Sequence, residues 1–152
     1  MKKQEVTGSN VVNIVYAGHM SGSAKFFKLW LPVFSWTAVI FFFSGVPDLK
    51  SGLEYDFILR KIAHITEYFI LVFLLYRAFK GSFAMDVSRI FIYPALLSFL
   101  YAVSDEIHQS FVPGRDCSIR DVLIDSIGIL GFYVAITARI CFRLAKSQGW
   151  ML

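Results

Sequence analysis

Between Ser104 and Asp125 the chain reads SDEIHQSFVPGRDCSIRDVLID, and these 22 residues gather Asp105, Glu106, Asp116, Asp121, Asp125, His108, Arg115 and Arg120. The stretch joins two strongly apolar segments. Charge beside membrane-length apolar runs is costly and is usually retained for a function, so this stretch reads as the site. Carboxylates beside an imidazole suit proton transfer, and a guanidinium can fork onto a phosphate or carboxylate.

Residues three and four apart on a helix share a face. Lys61, His64 and Tyr68 line one stripe, with Glu67 beside His64. Tyr101, Asp105, His108 and Gln109 line a second, and Glu106 lies about 100° round from Asp105. Asp121, Asp125 and Gly128 stack on a third. Ser118 followed by Asp121 resembles a capping box, and two carboxylates in opening turns suit the positive end of the helix dipole. Phe111-Val-Pro-Gly-Arg115 predicts a type II turn, with Pro113 second and Gly114 third, presenting Arg115 to the mouth of a bundle.

The elements that must hold these groups are set by composition. Of 152 residues, 57% are hydrophobic and 17% charged, which is not the balance of a water-soluble domain. Four stretches reach spanning length: Leu29–Val46, Ile62–Phe79, Ile90–Ile107 and Val122–Phe142. Nothing alternates as a barrel strand would, so the expected fold is all-α, an integral membrane bundle of four transmembrane helices. Pro32 is read as falling in the first turns of its helix. Residues 1–25 read as a flexible tail with a surface-lying segment at Val11–Tyr16 and no cleavage site. Residues 26–146 form the membrane domain, and 147–152 a short C-terminal tail.

With a cytoplasmic N-terminus, ten Lys and Arg fall on the cytoplasmic side and five on the other, so the positive-inside rule places both termini in the cytoplasm. The loop Pro47–Lys61, the start of the second helix, the end of the third and the start of the fourth then share the extracytoplasmic side. The net charge of +4 sits beside apolar runs, which suits anionic lipid headgroups as partners and excludes nucleic acid. Cys117 and Cys141 suggest neither a disulfide framework nor a zinc site.

Residues Ser104–Arg115, followed by Ser118-Ile-Arg-Asp121 and Asp125, resemble the hallmark of VanZ-like membrane proteins. Phe43-Ser44 with Pro47, and Lys61-Ile-Ala-His64 with Tyr68, resemble two further blocks of that family, so the likeness covers roughly Leu31–Phe142. Glu67 stands where an aromatic neighbour is commoner. The resemblance implies a small multi-helix protein of bacterial cytoplasmic membranes, whose namesake is associated with low-level resistance to teicoplanin. It brings no settled biochemical activity.

Two functional readings follow. In the first, the cluster recognises or processes an anionic lipid-linked cell-wall intermediate at the outer leaflet. Arg115 and Lys61 hold the anion, and His64 or His108, poised by Asp105 or Asp125, serves as general acid or base. Glu106, Gln109, Asp121 and Tyr68 complete the binding set. A variant places a divalent metal among His64, His108, Asp105 and Asp125, but no HExxH-like pair is present, and the expectation is no metal and no cofactor. In the second reading the same groups form a polar lock without catalysis, pairing Asp105 or Asp125 with Lys61 or Arg115. A transporter would need more than four spans without internal repeat, which a homodimer supplies.

Overall fold

The computed structural model describes residues 22–47, 56–115 and 118–148. Four helices account for nearly all of them: α1 (Gly22–Ser44), α2 (Asp56–Ser82), α3 (Val87–Gln109) and α4 (Ile119–Ser147). No strand occurs among the described residues. The all-helical expectation therefore holds, and α1, α3 and α4 are each long and apolar enough to cross a membrane. Large apolar side chains such as Phe27, Phe42, Leu130 and Val134 point outward, as they do where the solvent is lipid. The expected segment at Val11–Tyr16, and most of the loop Pro47–Lys61, lie outside the described residues.

Each helix starts before the hydropathy boundary read from the sequence, and α2, α3 and α4 also end beyond it, whereas α1 stops at Ser44, short of Val46. The helical hydrogen-bond ladder continues through polar residues once nucleated, whereas a hydropathy run stops at the first charges. The six residues from Asp56 to Lys61, read as loop, thus form the opening of α2. Likewise α1 starts at Gly22, which puts Pro32 well inside the helix rather than in its first turns. Proline has no N–H to give the carbonyl four residues earlier, that of Lys28. Arg77 supplies the missing donor from α2, with Nη2 3.3 Å from the Lys28 carbonyl oxygen.

Hydrogen bonds between helices reveal the topology. Trp36 Nε1 donates to the Glu67 carbonyl (3.0 Å) and Trp30 Nε1 to Ser82 Oγ (2.9 Å), so residue numbers rise along α1 as they fall along α2. Tyr133 donates to the Phe91 carbonyl (2.6 Å) and the Ser118 N–H to Glu106 Oε2 (2.9 Å), which sets α3 antiparallel to α4. Tyr101 donates to the Thr37 carbonyl (2.7 Å) and Gln109 to Ser44 Oγ (2.7 Å), so α1 and α3 are parallel. The chain runs up, down, up, down. Helices α2 and α3 each contact all three others, while α1 and α4 occupy opposite flanks.

Helix α2 supplies half the core. Tyr68, Leu71, Val72, Leu75, Ala78 and Phe79 recur at helical spacing and are buried against Val33 and Ile40 of α1, Ala102 of α3, and Ile129 and Phe132 of α4. Gly128 brings α4 onto α2. A Cβ there would overlap the Ile65 carbonyl oxygen and lie 3.1 Å from the Phe69 nitrogen, so the two backbones meet with no side chain between them.

Candidate functional site

The site is built where α4 begins. Ser118 is its N-cap, with extended backbone (φ −137°, ψ 123°), and its Oγ accepts from the Arg120 N–H at 3.2 Å. In a capping box the third helical residue would return a bond to the cap's own N–H. Here Glu106 of α3 does so instead, its Oε2 accepting from the Ser118 N–H at 2.9 Å. Asp121 is thereby released to form an ion pair with Lys61 of α2.

One turn further along, Asp125 is wholly buried, and its Oδ1 lies 3.0 Å from His64 Nδ1. This contact fixes the imidazole ring and leaves Nε2 as its other polar atom. Asp105, one turn before the end of α3, accepts from Gln109 Nε2 at 2.9 Å. The same amide donates to Ser44 Oγ at 2.7 Å, tying α3 to the last residue of α1.

Asp105, Glu106 and Asp125 share one pattern. Each is at least nine-tenths buried, each has one oxygen engaged, and each has its second oxygen buried without a hydrogen-bond partner. The Tyr68 hydroxyl is also buried and unpartnered, within electrostatic range of Asp105 and Asp125. Buried polar groups in this condition are uncommon.

Over His64 opens a cleft of about 140 Å³ lined by Phe43, Ser44, Arg60, Ala63, His64, Glu67 and Arg115. Arg115 reaches it from the turn foreseen in the sequence. The Arg115 N–H donates to the Val112 carbonyl at 3.2 Å, and Gly114 has φ 80°, the left-handed value that the third position of a type II turn requires. Nη2 of Arg115 donates to the Phe43 carbonyl at 3.3 Å, which folds the side chain over the end of α1.

The fold thus brings Lys61, His64, Tyr68, Asp105, Glu106, Gln109, Arg115, Asp121 and Asp125 to one end of the bundle. His108 lies at the same end but packs against α1 instead. Its ring stacks on Phe41 with centroids 4.2 Å apart and planes 19° from parallel, and it does not line the cleft. His64, His108, Asp105 and Asp125 do not converge as a metal-ligand set among the described residues. Asp116 lies outside the described residues. Two polar residues of the cleft, Arg60 and Ser44, were absent from the sequence-derived set. Arg60 sits four residues before His64, a spacing that would have put it on the same stripe. Ser44 ends α1 and was read only as part of a family block.

Comparison with known proteins places the chain among membrane proteins. A membrane protein of Bacillus subtilis (strain 168), YwnJ, described as uncharacterized, is 36% identical over 103 residues covering 62% of the present chain. The chain spans about two-thirds (66%) of that relative's length. No solved structure matches the chain significantly. The profile of the VanZ/LLP1 family matches residues 9–142, a range that contains every residue of the cleft and of the buried carboxylate cluster. The chain belongs to the VanZ/LLP1 family of membrane proteins.

Proposed function

We propose that this VanZ-like protein spans the bacterial cytoplasmic membrane with all four helices, both termini in the cytoplasm, and that its cleft opens outward to recognise the anionic headgroup of a lipid-linked envelope intermediate. The observation that carries this reading is the placing of Arg60 and Arg115 around a cleft lined also by His64, itself anchored by Asp125. Arginine is suited to planar, bidentate contact with phosphate or carboxylate. Glu67 on the same wall offers an acceptor to a hydroxyl or amide of whatever the anion bears. At about 140 Å³ the cleft is well below the roughly 300–1,000 Å³ of pockets that bury a whole drug-sized ligand, so it takes a headgroup and leaves the chain in lipid. The Lys and Arg distribution supports the orientation.

The test is retention of a polyprenyl diphosphate by the purified protein in lipid nanodiscs, against the neutral polyprenol of equal length. Preference for the diphosphate of at least tenfold is expected, falling to near parity in Arg115→Gln. Equal retention of the alcohol by the unaltered protein would sink the proposal. In cells, the same variant should lose any teicoplanin tolerance that the intact protein confers on a susceptible host.

A second reading, the polar lock, is favoured by one specific feature. Lys61–Asp121, His64–Asp125 and Ser44–Gln109 each join two different helices. Under that reading His64→Gln and Asp105→Asn lower folded yield in detergent in step with phenotype, whereas a binding site loses phenotype at normal yield.

A further inference from the structure

At the opposite end of the bundle, α2 and α4 part to form a groove of about 480 Å³, floored by Phe69, Phe73 and Tyr76 and rimmed by Lys80, Arg139 and Arg143. No carboxylate is among its described lining residues. Basic residues near helix C-termini complement the dipole and mark a cytoplasmic flank without any ligand. That account explains their presence at the helix ends, but not a recess of this size whose floor is aromatic.

The Lys80 ammonium is held at the rim. Its Nζ lies 5.6 Å from the centre of the Tyr76 ring and 3.5 Å from the Tyr76 hydroxyl. Arg139 and Arg143, four residues apart on α4, stand on one face of that helix. A ligand that lays hydrocarbon on Phe69 and Phe73 while its charge meets three cations must be apolar at one end and anionic at the other. The volume lies within the roughly 300–1,000 Å³ usual for ligand sites.

We propose that this groove is a binding site for one anionic phospholipid. An acyl chain lies on the aromatic floor between α2 and α4, and the phosphate sits among Lys80, Arg139 and Arg143. Basic pockets between membrane helices hold anionic headgroups by the same electrostatics. The site is separate from the polar cleft and does not depend on what that cleft recognises.

Native mass spectrometry of the full chain tests it, after exchange into detergent carrying equimolar phosphatidylglycerol and phosphatidylcholine with identical acyl chains. The expected result is a phosphatidylglycerol adduct at least fivefold more abundant than the phosphatidylcholine adduct, reduced to parity by Lys80→Gln, Arg139→Gln and Arg143→Gln together. Ala135→Phe, which fills the groove without touching a charge, should lower the phosphatidylglycerol adduct at least threefold. Equal retention of both lipids by the unaltered protein overturns the proposal. So does a phosphatidylglycerol adduct that survives Ala135→Phe undiminished. Both readouts decide the matter even if the triple variant fails to fold.

Discussion

Nδ1 of His64 and Oδ1 of Asp125 lie 3.0 Å apart across α2 and α4, although the two residues are 61 positions apart in sequence, and the carboxylate is wholly buried. Removing one member of a buried pair can cost about 3–5 kcal/mol in a water-soluble protein. In a membrane the unfolded reference also finds polar partners, and interhelical polar contacts are worth about 0.6 kcal/mol on average in double-mutant cycles and about 1–2 kcal/mol at most. The second value governs here. A double-mutant cycle of His64→Gln and Asp125→Asn, read by denaturant titration in detergent, should give a coupling of about 1–2 kcal/mol. The partly exposed Lys61–Asp121 pair, with side chains 22% and 20% accessible, should couple by less than about 1 kcal/mol. A stronger coupling for the exposed pair would contradict this ranking.

Gly128 and Gly131 lie on the same helix and predict opposite outcomes. A methyl at Gly128 meets backbone atoms of Ile65 and Phe69 that cannot move aside without shifting α2. Gly128→Ala should therefore cost about 2–3 kcal/mol through overpacking. At Gly131 the added carbon would sit 3.7 Å from a Phe69 ring atom, an ordinary contact. Alanine is also the better helix former, so Gly131→Ala should be neutral or stabilise by up to about 1 kcal/mol. Thermal unfolding of the two variants side by side checks the contrast.

The turn before α4 gives a prediction about binding rather than stability alone. Gly114→Ala forces a Cβ onto a residue at φ 80° and should cost about 1 kcal/mol. Because that turn aims Arg115, the variant should also weaken retention of an anionic probe several-fold with every charged group intact. A variant that folds normally and binds normally would show that the aim of Arg115 does not matter.

Pro32 and Arg77 should be coupled. Arg77→Met leaves the Lys28 carbonyl without the donor that the proline withholds, at a cost of about 1 kcal/mol. In a Pro32→Ala background the helix supplies its own N–H to that carbonyl. The same Arg77→Met change should then cost less than half as much, measured by the same unfolding assay.

Much of this arrangement was legible in the residue order, and the limits have physical reasons. Helical spacing put Lys61 with His64 and Asp121 with Asp125, and charge counting put both stripes at one end, where the fold pairs them as Lys61–Asp121 and His64–Asp125. The Gly114 turn was equally legible, since only glycine adopts φ 80° without strain. The partner of each group was not. Spacing along one helix says which residues share a face, but says nothing of how far a neighbouring helix has slid. Asp105 could thus be matched with Lys61 or Arg115 on paper, while in the fold it accepts from Gln109. Nor does the sequence show that Glu106 would cap a different helix, or that His108 would rest on Phe41, because both depend on contacts across the bundle.

The backbone contact at Gly128 lies between the two recesses of the molecule. Only a glycine hydrogen separates the two backbones there, so any larger residue would lift α4 off α2 and draw apart both pairs that join these helices, His64–Asp125 and Lys61–Asp121.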